Sequence, residues 1–193
     1  ADGDYMLEVA LIKNGKTLAD SQTLIRKLPM PPGNYSYIDR NLNLVSDGKV
    51  IFPRTWMGSE KYMLTQALKD EMPHPNTPFI NMWEVQMPAE ASRIDPSAAE
   101  TERRKTNVMP SQKVFDGMTK LIEDNRNRKD PWFYYLSDEP EGNGYSLGYL
   151  RHQYEFLKKH DPYHPVMIGS HAPELYTSVC DIMAPDSYLG PMV

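Results

Sequence analysis

Cysteine is all but missing from this chain. Cys180 is the only one in 193 residues, so no intrachain disulfide and no cysteine-rich zinc site can form within it. A lone thiol suits the cytosol and equally suits bacterial export; of the two we favour the secreted or periplasmic side. Long apolar runs are missing too. None approaches the roughly 18 residues of a membrane span, and none has the form of a signal peptide. The sequence opens at Ala1-Asp2-Gly3 without a methionine, which leaves room for a leader or an upstream domain. Positive charge is in short supply: 21 Lys and Arg against 26 Asp and Glu give a net charge of −5. The basic residues are scattered apart from Arg103-Arg104-Lys105 and the stretch from Arg126 to Lys129. That balance argues against a nucleic-acid or anionic-membrane surface. The five histidines form no HxH or HExxH pair, so a zinc hydrolase has no signature here. A glycine-rich phosphate loop and a nucleophile elbow are absent as well.

Proline (17), tyrosine (12) and methionine (12) are abundant beside only 11 glycines. Proline-heavy connections and aromatic-rich strand ends suit an enzyme-like scaffold with long, shaped loops. The most informative stretch is Trp132-Phe133-Tyr134-Tyr135-Leu136-Ser137-Asp138-Glu139-Pro140. A run of bulky apolar residues stops abruptly at two acids and a proline. A parallel strand covered on both faces reads this way if its C-terminal end opens into a polar site. Such ends are where α/β folds hold their chemistry. A buried strand followed by a solvated acidic turn would read the same, since Asp-Glu-Pro-Glu-Gly is a good breaker.

Around that strand the pattern predicts a regular order of elements. Residues 5–12 and 17–28 alternate about Asn14-Gly15, which is a hairpin turn. Pro29-Met30-Pro31-Pro32-Gly33 breaks the pattern as a linker. A second hairpin turns at Asp47-Gly48. Residues 59–71 read as a short helix, 79–85 as a strand, and 88–110 as a long loop with a helical piece near 97–105. Ser111 is placed to cap a helix whose stripe is Val114, Met118 and Leu121, joined by Phe115 and Ile122. Ser146 caps another with Leu147, Leu150, Tyr154 and Leu157 on one face. Strands follow at 165–169 and 180–184, with a short helix between them. The C-terminal half is therefore β, α, β, short α, β, the order of parallel strands with crossovers.

Several of these segments, in this order, resemble glycoside hydrolases of the retaining (β/α)8-barrel superfamily whose barrel follows a β-sandwich. Ile38-Asp39-Arg40, Asp47-Gly48-Lys49 and Phe52-Pro53-Arg54 look like the hairpin that opens such a barrel. Asp130-Pro131-Trp132 through Glu139-Pro140-Glu141 resembles its fourth strand. Asp161-Pro162-Tyr163-His164-Pro165-Val166 and Asp181-Ile182 through Asp186-Ser187-Tyr188 resemble the fifth and sixth. The resemblance implies an α/β fold with a partial (β/α) TIM-barrel-like domain at 38–193. Before it, at 1–37, would stand antiparallel strands ending a sandwich-type domain.

In that superfamily the acid/base glutamate follows strand four, commonly in Asn-Glu-Pro. The matching triplet here is Asp138-Glu139-Pro140, which implies Glu139 as the proton-transfer residue. The family's nucleophile follows strand seven, and the resemblance here ends at the sixth. A whole barrel typically takes roughly 250 residues; an incomplete one exposes strand edges and implies self-association or a partner chain completing it. Because neighbouring strand residues point to opposite faces, Asp138 is not expected to pair with Glu139 unless the chain turns between them.

Substrate contacts are expected from Asp138, Arg54, Trp56, Trp83, Glu84, His171, Asp186 and Tyr188, all at apparent strand ends. Tryptophans also fill cores, and strand-end acids are often only solvated. The implied partner is a carbohydrate, and glycosidic hydrolysis needs no metal or organic cofactor. Two alternatives remain at this point. One is a non-catalytic carbohydrate-binding or assembly protein with an incomplete barrel. The other is a metal-assisted hydrolase using Asp138, Glu139 and His171.

Overall fold

A computed structural model of the chain describes residues 2–52, 79–82 and 107–186. The helices expected at 59–71 and 97–105 and the loop at 88–110 lie wholly or largely outside these residues. The chain divides into two compact units, Ala1–Pro32 and Gly33–Val193, with the division inside the proline-rich segment.

The first unit is an antiparallel ribbon of β1 (Gly3–Lys13) and β2 (Lys16–Lys27). Asn14 and Gly15 both take positive φ, 51° and 73°, the conformation of the two-residue turn that matches strand twist. Tyr5 faces Ile25, and Leu7, Val9 and Leu11 continue the same face opposite Thr23, Ser21 and Ala19. The other face carries Asp4 against Arg26, a 2.8 Å ion pair, and Glu8 against Gln22. Met6 against Leu24 and Ala10 against Asp20 share that second face, so both faces mix apolar and polar residues, and both strands are exposed along their whole length.

The second unit opens with a small antiparallel sheet of β3 (Ser36–Ile38), β4 (Leu44–Ser46) and β5 (Lys49–Ile51). Asp47 and Gly48 form its hairpin turn, again both at positive φ. The central feature is a parallel sheet in the order β6 (Phe79–Asn81), β7 (Phe133–Asp138), β8 (Val166–Ser170) and β9 (Ile182–Pro185). Helix α1 (Gln112–Asn125) precedes β7, α2 (Leu147–His160) links β7 to β8, and a 3-10 turn at Pro173–Leu175 links β8 to β9. This is the mixed α/β architecture expected, with 3-10 geometry where a short helix had been predicted.

Side-chain alternation along the strands fills two cores. Ile80, Met82, Tyr134, Leu136, Val166 and Ile168 pack with Val114, Met118 and Ile122 of α1 and Leu150 and Leu157 of α2. On the opposite face Phe79, Phe133, Tyr135 and Met167 pack with Trp132 and with Leu44 of β4. There Phe79 stacks on Phe133 and meets Tyr135 edge-on, each at 5.7 Å between ring centres. Ser146 caps α2 as predicted, its hydroxyl accepting from the Tyr149 N–H at 3.2 Å. Ser111 does stand at the start of α1, but its side chain makes no capping bond. Its carbonyl accepts from Val114 and Phe115 instead, so the position was right and the capping group was not. Among the described residues no helix is long and apolar enough to cross a membrane.

Candidate active site

The C-terminal end of the parallel sheet is built around the last two residues of β8. The Gly169 carbonyl accepts from the Glu139 N–H at 2.9 Å, and the Ser170 carbonyl accepts from the Asp186 N–H at 2.8 Å. One strand therefore fixes the backbones of acids from both of its neighbours. Asp138 ends β7, Glu139 follows it directly, and Asp186 directly follows β9.

Glu139 has φ of +40°, the left-handed region that costs a non-glycine residue about 1–3 kcal/mol. The surrounding bonds over-determine this conformation. Its N–H is held by Gly169, and its carbonyl accepts from the Asn143 N–H at 3.0 Å and from Asn143 Nδ2 at 3.2 Å. The same Nδ2 also reaches the Asp138 carbonyl at 2.9 Å. The chain thus turns at Glu139, which was the condition for Asp138 and Glu139 to share one site.

Asp138 is placed by an irregularity in β7. The β7–β8 register slips at Leu136: Tyr135 faces Met167, Ser137 faces Ile168, and Asp138 faces Gly169. In an unbroken strand Tyr135 and Asp138, three residues apart, would point to opposite faces. The extra residue brings them to the same face, and the Tyr135 hydroxyl donates to Asp138 Oδ1 at 2.6 Å. Gly169 makes the room, since a Cβ there would stand 2.7 Å from the Tyr135 hydroxyl and 3.1 Å from Asp138 Oδ1. Burial is the largest influence raising the pKa of the Tyr135 phenol, followed by its bond to Asp138 and the charges of Asp138, Asp186 and Glu139. The phenol therefore stays protonated as a donor. Three carboxylates stand close enough for their charges to act on that one hydroxyl.

His171 follows β8, half exposed, with Nδ1 3.0 Å from Glu141 Oε1. Glu141 itself is only 4% exposed. It accepts from the His171 N–H at 2.7 Å, the Ala172 N–H at 3.2 Å and the Ser170 hydroxyl at 3.0 Å. The structure thus brings Asp138, Glu139, Asp186 and His171 to the ends of three adjacent strands. Arg54, Trp56, Trp83, Glu84 and Tyr188 lie outside the described residues.

Tyr135, Glu141 and Gly169 escaped the sequence reading. Tyr135 looks like one more core aromatic, and nothing in the sequence announces the bulge. Glu141 sits in a breaker-rich acidic turn where solvated acids are the rule. Among the described residues no group of three or more His, Cys, Asp or Glu side chains is placed to hold a metal ion. A cavity of about 240 Å³ lies at the other end of the sheet, lined by Ser36, Ile38, Pro165 and the ion pair Lys158–Asp181.

Fold and site together define a mixed α/β body with acids at the C-terminal ends of its parallel strands. No protein-family model matches the chain, and no curated protein matches it. Among solved structures, the apo structure of Bacteroides uniformis beta-glucuronidase 3 aligns with a TM-score of 0.46 at 12% identity, over 96% of this chain and 26% of that one. The chain thus spans about a quarter of that protein's length. A likeness at this level carries no argument for fold or function.

Proposed function

We propose that this chain is the acid/base-bearing part of a glycoside hydrolase, with the parallel sheet as part of a (β/α)-barrel and the ribbon as the end of a sandwich-type domain. Glu139 is the proton donor to the leaving oxygen and then the base toward water. Asp138, held by Tyr135, and Asp186 bind substrate hydroxyls at the same strand ends. His171 contributes from the next position along β8. Arg54, Trp56, Trp83, Glu84 and Tyr188 complete the substrate contacts in this reading. The resemblance, carried by the opening hairpin and by the fourth, fifth and sixth strands, assigns no residue of this chain as the second carboxylate of the hydrolytic pair.

The observation that carries this reading is the backbone of Glu139. A glutamate is held in left-handed geometry, at the end of a buried parallel strand, by bonds from β8 and Asn143. Strain of this kind persists where the surroundings enforce it, and it concentrates at working sites.

The test is turnover of a panel of 4-nitrophenyl glycosides by the full chain and by Glu139→Gln. The wild type should cleave at least one member, and the variant should lose about 10²-fold or more in kcat while still binding the sugar. Undiminished turnover by Glu139→Gln would remove Glu139 from the mechanism. Sugar binding by a wild type that cleaves nothing would favour the carbohydrate-binding alternative.

A further inference from the structure

Glu141 is a carboxylate that the proposed reaction does not use, and at 4% exposure it is nearly withdrawn from water. A polar group is buried at tolerable cost only where donors replace its water. Three donors from one short stretch of chain do so here. The His171 N–H donates to Oε1 at 2.7 Å and the Ala172 N–H at 3.2 Å, while the Ser170 hydroxyl lies 3.0 and 3.1 Å from the two oxygens. Ser170 Oγ in turn accepts from the Ala172 N–H at 2.9 Å, which leaves the hydroxyl proton for the carboxylate.

Those donors belong to the turn that leaves β8, whereas Glu141 belongs to the turn that leaves β7. The β7 turn is closed on itself: the Glu139 carbonyl accepts from the Asn143 N–H, and the Pro140 carbonyl accepts from the Tyr145 N–H. Its first residue is Glu139, whose N–H is held by the Gly169 carbonyl. The closed turn is therefore tied to the β8 side twice, by the backbone of Glu139 and by the side chain of Glu141. The Gly169 bond by itself would act as a hinge. A second attachment two residues further on opposes the rotation through which Glu139 would relax from its φ of +40°, and strained backbone persists only under such over-determination.

We propose that Glu141 is a positioning residue: its carboxylate clips the β7 exit turn to the β8 exit turn and so holds Glu139 in its left-handed conformation. The role given to Glu139 rests on the glycoside reading of the site. To that reading the clip adds the side chain that keeps the proton donor in place without touching substrate.

The experiment uses the full chain, with Glu141→Ala, Glu141→Gln and Glu139→Gln. Amide hydrogen exchange read by NMR follows the clip directly. In the wild type the Glu139, His171 and Ala172 N–H groups should open together, with protection within about threefold of one another. Protected His171 and Ala172 beside an unprotected Glu139 would overturn the proposal, even if Glu141→Ala does not fold. In Glu141→Ala, exchange at Glu139 should quicken by about tenfold or more. Tyr134, whose N–H bonds Pro165 at the other end of the strand, should keep its wild-type rate. Glu141→Gln keeps a carbonyl oxygen for the two backbone donors and should restore the slow exchange. On whichever 4-nitrophenyl glycoside is cleaved, Glu141→Ala should lower kcat by about tenfold or more with KM little changed. Glu141→Ala placed on top of Glu139→Gln should cost nothing further. Unchanged exchange at Glu139, equal acceleration at Tyr134, or a full additional loss in the double variant would refute the positioning role. If the wild type cleaves no member of the panel, the glycosidase reading fails on its own, and exchange at Glu139 still decides whether Glu141 holds it.

Discussion

Two small features of single residues set the chemistry of the strand ends. The missing Cβ of Gly169 lets the Tyr135 hydroxyl and Asp138 lie against β8. In Gly169→Ala the new methyl would press on both, and overpacking of this kind costs about 1–3 kcal/mol. Urea unfolding should register that loss; a variant as stable as the wild type would mean that Tyr135 swings aside freely. At the opposite end of the sheet, Asp161 is bonded by His164 Nδ1 at 3.0 Å, by the Tyr134 hydroxyl and by the Tyr163 N–H. Burial pushes its pKa up, but the bond and charge of His164, with the bonds from Tyr134 and Tyr163, outweigh burial and hold it below the usual value. A carboxyl depressed in the folded state contributes stability that is complete above its unfolded pKa of about 3.9. That stability is lost as pH falls through the lower folded value. The melting temperature should therefore drop on acidification below about pH 4, and Asp161→Asn should flatten that limb. An unchanged acid limb in the variant would show that other carboxylates set it. The strand-end acids were legible in the sequence as the place where an apolar run stops at charges, a pattern that a solvated acidic turn shares. Tyr135 was not, because a tyrosine three positions before an aspartate violates strand alternation.

At the level of elements, turn chemistry was the most readable signal. Asn14-Gly15 and Asp47-Gly48 are dipeptides that tolerate two successive positive φ angles, and both hairpins stand where those dipeptides put them. Helix periodicity was nearly as clear. Leu147, Leu150 and Leu157 are buried on one face of α2, while Tyr154 is only partly covered because its hydroxyl reaches out to Asp181. Leu150 has no exposed surface, so Leu150→Ala should cost about 2–5 kcal/mol as a core truncation. Chemical denaturation measures this directly, and a negligible change would contradict the packing of α2. The three-residue strand β3 went unseen. Ser36-Tyr37-Ile38 is too short to show alternation, and it owes its strand geometry to pairing with β4.

Across the whole molecule, burial is divided unevenly. The parallel sheet is covered on both faces near its centre, whereas both strands of the ribbon are exposed throughout. Two strands without a covered face are marginal in water, and local opening follows such differences. Amide hydrogen exchange should therefore protect β7 and β8 more than β1 and β2, by about two orders of magnitude or more. Equal protection would mean that the ribbon is covered in solution. The sequence revealed the order of these parts, since turns and periodicities are local. What joins Tyr135 to Asp138, or Glu141 to His171, depends on contacts between segments that no local pattern encodes.

The slipped register of β7 has a consequence for recognising this arrangement in other chains. Ordinary strand logic would look for a hydrogen-bonded partner two or four positions before the aspartate and would pass over this one. Here the informative spacing is odd, and deleting one residue at Leu136 would restore the even spacing of an unbroken strand, with the phenol and the acid still on one face.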